Sequence, residues 1–331
     1  MESRCIVVPR RMAERVRRQL LERGVLRTDL EIQSDTEHVY LPIMEPVDVP
    51  GGEICRRTFE ERERTPDLQD LLADRLPQDV ALSSFDVIGD IAVVRIPDRA
   101  LPYKKKIGEA ILATHPSIRV VCNDRGVKDA FRVRDVEVIA GEQRTETMHV
   151  EYGTELAVDV AMVYFSPRLA TERKRVADQV MPGDVVIDMF AGVAPFSILA
   201  ARLAHPSHVY AIDVNPAAAA YARRNVERNN VADVVEVIQG DAAVVVPRLE
   251  HANHVIMNLP HRADEFFSLA VNAGDIVHYY DIVEKDGVKR RLDWLVERAA
   301  REDKKAVVQS WRRVGTYSPV QIKIGVDLAI E

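Results

Sequence analysis

Apolar and polar positions divide the chain into three stretches of different rhythm. In the first, Ile6-Val7-Val8 reads as a short strand. Pro9 then leads into a helix that runs to Arg23, with Met12, Val16, Leu20 and Leu21 on one face and Gly24 as its cap. Alternation around Leu30-Glu31-Ile32 and from Val39 to Ile43 predicts two more strands, making residues 1–45 a small α/β domain. Residues 46–67 mix proline, glycine and dense charge without apolar periodicity, as an interdomain linker does. In the second stretch, residues 68–170, Phe85 to Ile96, Ile118 to Cys122 and Val133 to Ile139 are strand-like. Lys104 to Thr114 reads as a helix, and Tyr152 to Tyr164 alternates like a hairpin.

From Met181 strands and helices alternate, and residues 171–331 form a third domain. Asp184 to Asp188, Val209 to Asp213, Val234 to Ile238 and His254 to Met257 are short apolar runs, with helices from Pro195 to Leu203 and after Asn215-Pro216. Such runs mark a parallel sheet covered on both faces. The last two strands, near Lys305 to Trp311 and Val320 to Ile330, are expected to pair antiparallel across a turn at Gly315.

Composition supports folded domains: 331 residues, 47% hydrophobic and 29% charged, are ample for packed cores and exclude disorder. No run approaches the roughly 20 apolar residues of a membrane helix. Cys5, Cys55 and Cys122 are too scattered for CxxC spacing, which suggests a reduced, cytoplasmic protein. Glu14, Glu22 and Asp29 argue against reading the arginine-rich start as a transit peptide. The net charge of −7 argues against a nucleic-acid partner only until it is located. Residues 1–30 carry +4, 99–134 carry +6 and 168–175 carry +3, leaving −20 elsewhere. Basic patches on an acidic background are what phosphate binding requires, although a charge run can also be just a solvated face.

The strand ends carry the candidate chemistry. After Asp188, the loop Met189-Phe190-Ala191-Gly192-Val193-Ala194-Pro195 has one glycine where a dinucleotide fingerprint has three, so a pyrophosphate cofactor and an NAD-dependent oxidoreductase are disfavoured. A nucleoside without phosphate, such as S-adenosylmethionine, needs one close backbone approach, at Gly192. Asp213 could accept both ribose hydroxyls and Asp241 an exocyclic amine, although either alone could simply cap a helix. Asn258-Leu259-Pro260 closes the fourth strand, where an amide can pair with a base edge and Pro260 stiffens the turn. Glu172 lies among Arg168, Arg173, Lys174 and Arg175, where a helix-surface ion pair is the plainest reading.

The segments DMFAGVAPFSI, AIDVNP, NLP and YFSPRLATERKRV resemble the archaeal and eukaryotic Trm5-type tRNA (guanine-37-N1)-methyltransferases, over essentially the whole chain. The resemblance implies a class I, Rossmann-like α/β methyltransferase sheet with a reversed last strand, preceded by two smaller α/β domains. It implies S-adenosylmethionine as cofactor, with Asp188, Phe190, Gly192, Asp213, Val214, Asp241 and Asn258 in contact with it. Glu172 becomes the general base that removes the guanine N1 proton, and Arg132 the group that stabilises O6. Tyr164, Asn258 and Pro260 shape the pocket. Lys104, Lys105, Lys106, Arg132, Arg134, Arg168 and Arg173 are the expected RNA contacts. A monomer is implied that needs no metal and holds the anticodon stem-loop and outer corner of tRNA. Two alternatives remain: an aminocarboxypropyl transferase of the wyosine pathway acting on modified G37, and a non-catalytic tRNA-binding protein.

Overall fold

The computed structural model describes residues 1–62, 68–73, 84–127 and 133–331. They fall into two compact units, Met1–Asp70 and Leu71–Glu331. In the first, strands Gln33–Ser34, His38–Ile43, Glu2–Pro9 and Glu53–Thr58 form an antiparallel sheet in that order. The helix Ala13–Glu22 buries Val16 and Leu20 in a core with Ile6, Val8 and Leu41, and Gly24 follows it at φ +68°. The expected linker is therefore partly sheet. Glu53–Thr58 is an edge strand with mostly exposed side chains, so no apolar alternation marks it. Leu30-Glu31-Ile32 is not a strand; Leu30 makes an isolated bridge to Glu61.

The second unit begins with a four-stranded sheet, Asp86–Ile88, Ile91–Val94, Val120–Val127 and Arg134–Gly141, that carries the helix Lys104–Thr114. The hairpin Glu146–Glu151/Thr154–Asp159 starts earlier than its alternation suggests, because Tyr152 and Gly153 form the left-handed turn. It packs against that small sheet, where the Gly89 amide donates to His149 Nδ1 at 3.1 Å, and also against the domain that follows, where the Asn225 side chain accepts from the Ala157 amide at 2.7 Å and donates to its carbonyl at 3.1 Å. The hairpin thus joins the small sheet to the larger one through a shared core that holds Ile88, Ile91, Val120, Leu156 and Val158.

That sheet has seven strands: β1 (Val185–Asp188), β2 (His208–Asp213), β3 (Val235–Gln239), β4 (Ala252–Met257), β5 (Gly274–Glu284), β6 (Ala306–Thr316) and β7 (Gln321–Ile330). Their order is β3-β2-β1-β4-β5-β7-β6, with β7 antiparallel to both neighbours and the rest parallel. One face is covered by α1 (Ala170–Ala177), α2 (Pro195–Ala204) and α3 (Pro216–Arg228), the other by α4 (Ala263–Ala273) and α5 (Val288–Ala300). The sequence pattern does not reveal β5, α4 and α5. The polar side chains of His278 and Asp281 interrupt the apolar run of β5, yet both are buried. Gly315 is no turn either; it lies at a bulge inside β6, and the chain reverses at residues 317–320.

Candidate active site

Strand order reverses between β1 and β4, so an open sheet of this kind takes its ligand beyond their carboxyl ends. Asp188 closes β1 fully buried. Ser197 donates to its Oδ2 at 2.8 Å, Oδ1 has no partner among the described residues, and burial pushes the carboxyl up to about 7. In the loop that follows, Gly192 stands at φ +58° with open space where a side chain would begin; the nearest atom to a Cβ there is the Tyr164 carbonyl oxygen, at 3.6 Å. Asp213, at the end of β2, accepts from the Gly192 amide at 2.7 Å and from the Asn215 amide at 2.8 Å, and burial pushes its carboxyl up. The cap of α3 is Asn215 itself. Asp241 does cap the turn Ala242–Val245, through the Ala243 amide at 2.9 Å, and is exposed. Val214 is exposed, and Phe190 meets Phe266 edge-on with centroids 4.9 Å apart. An open glycine backbone, carboxylates at successive strand tips and an apolar rim fit a nucleoside with no phosphate.

Beside this crevice, Asn258 is half-buried and its Oδ1 accepts from Lys323 Nζ at 3.0 Å. Pro260 lines a cleft of 340 Å³ with His261, Arg262, Asp264 and Tyr317. Tyr164 is exposed and so is no core tyrosine. Glu172, on the first turn of α1, is buried rather than on the surface. Its Oε2 accepts from Tyr280 Oη at 3.0 Å, Arg175 Nε at 3.1 Å and Arg312 Nε at 3.1 Å. Its Oε1 accepts only from Arg312 Nε, at 3.0 Å, among the described residues. Lys323 Nζ stands 5.5 Å from the centre of the Tyr280 ring. Sequence reasoning missed Tyr280, Arg312 and Lys323, although an isolated Lys within the apolar run of β7 was a readable signal.

The expected RNA contacts divide. Lys105 and Lys106 are exposed, while Lys104 is half-buried and pairs with Glu137 at 2.6 Å. Arg168 is open to solvent and bonds Asp86 at 2.7 Å; Arg134 is more enclosed and bonds the same carboxylate at 2.9 Å. Arg173 is a correction. It is buried, with Nη1 held by both oxygens of Glu151 and Nη2 by the Ser166 carbonyl, and its plane faces the Phe165 ring, so no phosphate can reach it. Arg132 lies outside the described residues.

The sheet order with its reversed β7, and a phosphate-free nucleoside crevice at the β1/β4 switch point, define an S-adenosylmethionine-dependent methyltransferase of class I. Three family models match in succession: the tRNA methyltransferase 5 N-terminal domain over residues 5–50, the TYW2 N-terminal domain over 68–145 and the TRM5/TYW2 methyltransferase domain over 147–308. The tRNA (guanine(37)-N(1))-methyltransferase Trm5b of Pyrococcus abyssi is 38% identical over 98% of each chain. Its crystal structure superposes with a TM-score of 0.78 over 99% of both chains. The structure of aTrm5 with tRNALeu gives a TM-score of 0.72 at 30% identity, again over 99% of both. Methanocaldococcus jannaschii TYW2 in complex with AdoMet gives 0.59 at 26% identity, over 75% of this chain and 99% of that one. The chain belongs to the Trm5 family of tRNA (guanine(37)-N1)-methyltransferases. Among the described residues no helix is long and apolar enough to cross a membrane.

Proposed function

We propose that Glu172 is the general base that frees N1 of guanosine 37 for methylation. When bound, S-adenosylmethionine supplies the methyl group as an electrophile. Neutral guanine carries a proton on N1 and has no lone pair to offer, so a carboxylate must take that proton as the new bond forms. The observation that carries this reading is the unequal use of the two carboxylate oxygens. Oε2 has three donors, whereas Oε1 has one and keeps acceptor capacity. Arg132 would stabilise the charge that builds on O6, an effect commonly worth about 3–4 kcal/mol. Asn258 and Pro260 would hold the flipped base, and Tyr164 would cover it. Gly192, Asp213, Asp241, Phe190 and Val214 would hold the nucleoside of the cofactor, with Asp188 fixing the loop from beneath.

Lys104, Lys105, Lys106, Arg134 and Arg168 would contact the anticodon stem-loop, while the first unit docks on the outer corner of the tRNA. In this reading the enzyme acts as a cytoplasmic monomer. The test incubates enzyme and S-adenosylmethionine with matched transcripts carrying G37 or A37, followed by mass spectrometry of nucleosides and co-products. The expected outcome is 1-methylguanosine at position 37 of the G37 transcript alone, with S-adenosylhomocysteine. Methylthioadenosine as co-product would identify an aminocarboxypropyl transferase instead, and tRNA binding with no product a non-catalytic protein.

A further inference from the structure

A buried polar row crosses the sheet beneath Glu172. Asp327 of β7 sits at 2% exposure in a strand whose neighbours are apolar. Each of its carboxylate oxygens accepts three hydrogen bonds. Oδ1 takes His278 Nδ1 at 2.8 Å, Arg175 Nη2 at 3.2 Å and Arg312 Nη2 at 3.2 Å. Oδ2 takes Arg175 Nη1 at 2.7 Å, Ser310 Oγ at 2.9 Å and Arg312 Nη1 at 3.0 Å. The two guanidiniums therefore present their Nη ends to Asp327 and their Nε edges to Glu172. Behind Asp327, His278 is fully buried and meets His254 at 3.0 Å, and His254 reaches Asp184 at 3.2 Å.

We infer that Asp327 and Arg312 are positioning residues that set both the orientation and the basicity of Glu172. The inference rests on Glu172 being the base. Two guanidiniums held by one shared carboxylate form a rigid clamp, because planar bidentate pairs fix angle as well as distance. Asp327 also offsets part of the positive charge that faces Glu172. Without it, two cations bind the base more tightly and weaken it as a proton acceptor; without Arg312, the base is easier to protonate. The groups facing Glu172 are Arg175 on its own helix, Tyr280 on β5, Arg312 on β6, and Lys323 and Asp327 on β7, with Lys323 acting across the Tyr280 ring. From α2 comes the apolar ring of Phe196, 6.1 Å from that of Tyr280.

The experiment is a pH profile of single-turnover methylation of G37 transcript for Arg312→Met and Asp327→Asn, with cofactor binding by calorimetry to establish folding. Arg312→Met should move the acidic limb upward by about one pH unit. Asp327→Asn should lower the plateau at least tenfold without moving that limb upward. Should Arg312→Met fail to bind cofactor, Arg312→Lys takes its place, and its limb should lie closer to that of the wild type with a reduced plateau. Rates lowered by one constant factor at every pH in both variants, or unchanged in either, would reduce Asp327 and Arg312 to scaffold. Glu172→Gln, run in parallel, separates the two ideas: full activity there removes the base itself, while a slow Glu172→Gln beside unshifted profiles removes only the positioning role.

Discussion

Lys323 Nζ donates to Asn258 Oδ1 across 3.0 Å and so ties the start of β7 to the turn that closes β4. The amide oxygen accepts this bond, so in the proposed reading the Asn258 NH₂ group is the part left for the base. Lys323→Met should let the amide turn. Loss of a charged hydrogen bond is worth about 1.5–3 kcal/mol, so single-turnover methylation should fall roughly 10- to 100-fold. Cofactor affinity by calorimetry should hold, and an unchanged methylation rate would show that the Asn258 amide needs no such anchor.

Glu172→Gln keeps the shape of the side chain and removes the proposed base. Methyl transfer should fall about 10²–10⁴-fold, while tRNA affinity in a filter assay stays close to that of the wild type.

At Gly192 a methyl group has room but the wrong backbone, since φ is +58° and the nearest atom to a Cβ there would be 3.6 Å away. Gly192→Ala should cost about 1–2 kcal/mol of stability from the left-handed conformation. It should also weaken S-adenosylmethionine binding at least tenfold, because the new methyl fills the open approach. Denaturant titration and calorimetry read the two effects separately.

Two buried groups titrate in opposite senses. Burial, then the charge of neighbouring His278, push His254 down to about 4 from its ordinary 6.5. Between those values the unfolded chain binds a proton that the folded one refuses, so this group erodes stability as pH falls. Burial raises Asp188 from 3.8 to about 7, so the folded form keeps a proton that the unfolded chain has lost, and stability erodes as pH rises through that window. Relative to wild type, His254→Gln should gain stability toward pH 4.5 and Asp188→Asn toward pH 7, each by up to about 1.4 kcal/mol per pH unit. Denaturant melts across that range check both, and curves parallel to wild type would contradict the assignment.

The strand tips are legible in the sequence because each ends a short apolar run at a turn: Asp188, Asp213, Asp241 and Asn258 all stand where the pattern puts them. The partners of Glu172 are not. Tyr280 and Arg312 lie 108 and 140 residues away in sequence, and only the pairing of β5, β7 and β6 brings them over α1. Glu172 itself reads as a surface ion pair, since local spacing shows charge and not burial. Arg173 fails as an RNA contact for the same reason: its partner Glu151 belongs to the preceding hairpin.

The polar row that runs through Asp184, His254, His278, Asp327 and Ser310 places one member on, or just before, each of five adjacent strands. It therefore also acts as a ruler for assembly. If β7 joined β5 one residue out of step, Asp327 would swing to the apolar face that Ile324, Val326 and Leu328 now fill, those side chains would turn toward the polar row, and a buried charge without its partner costs about 3–5 kcal/mol. Apolar strands alone would tolerate such a slip far better. The carboxylate beneath Glu172 thus also sets the alignment in which the C-terminal hairpin closes the sheet.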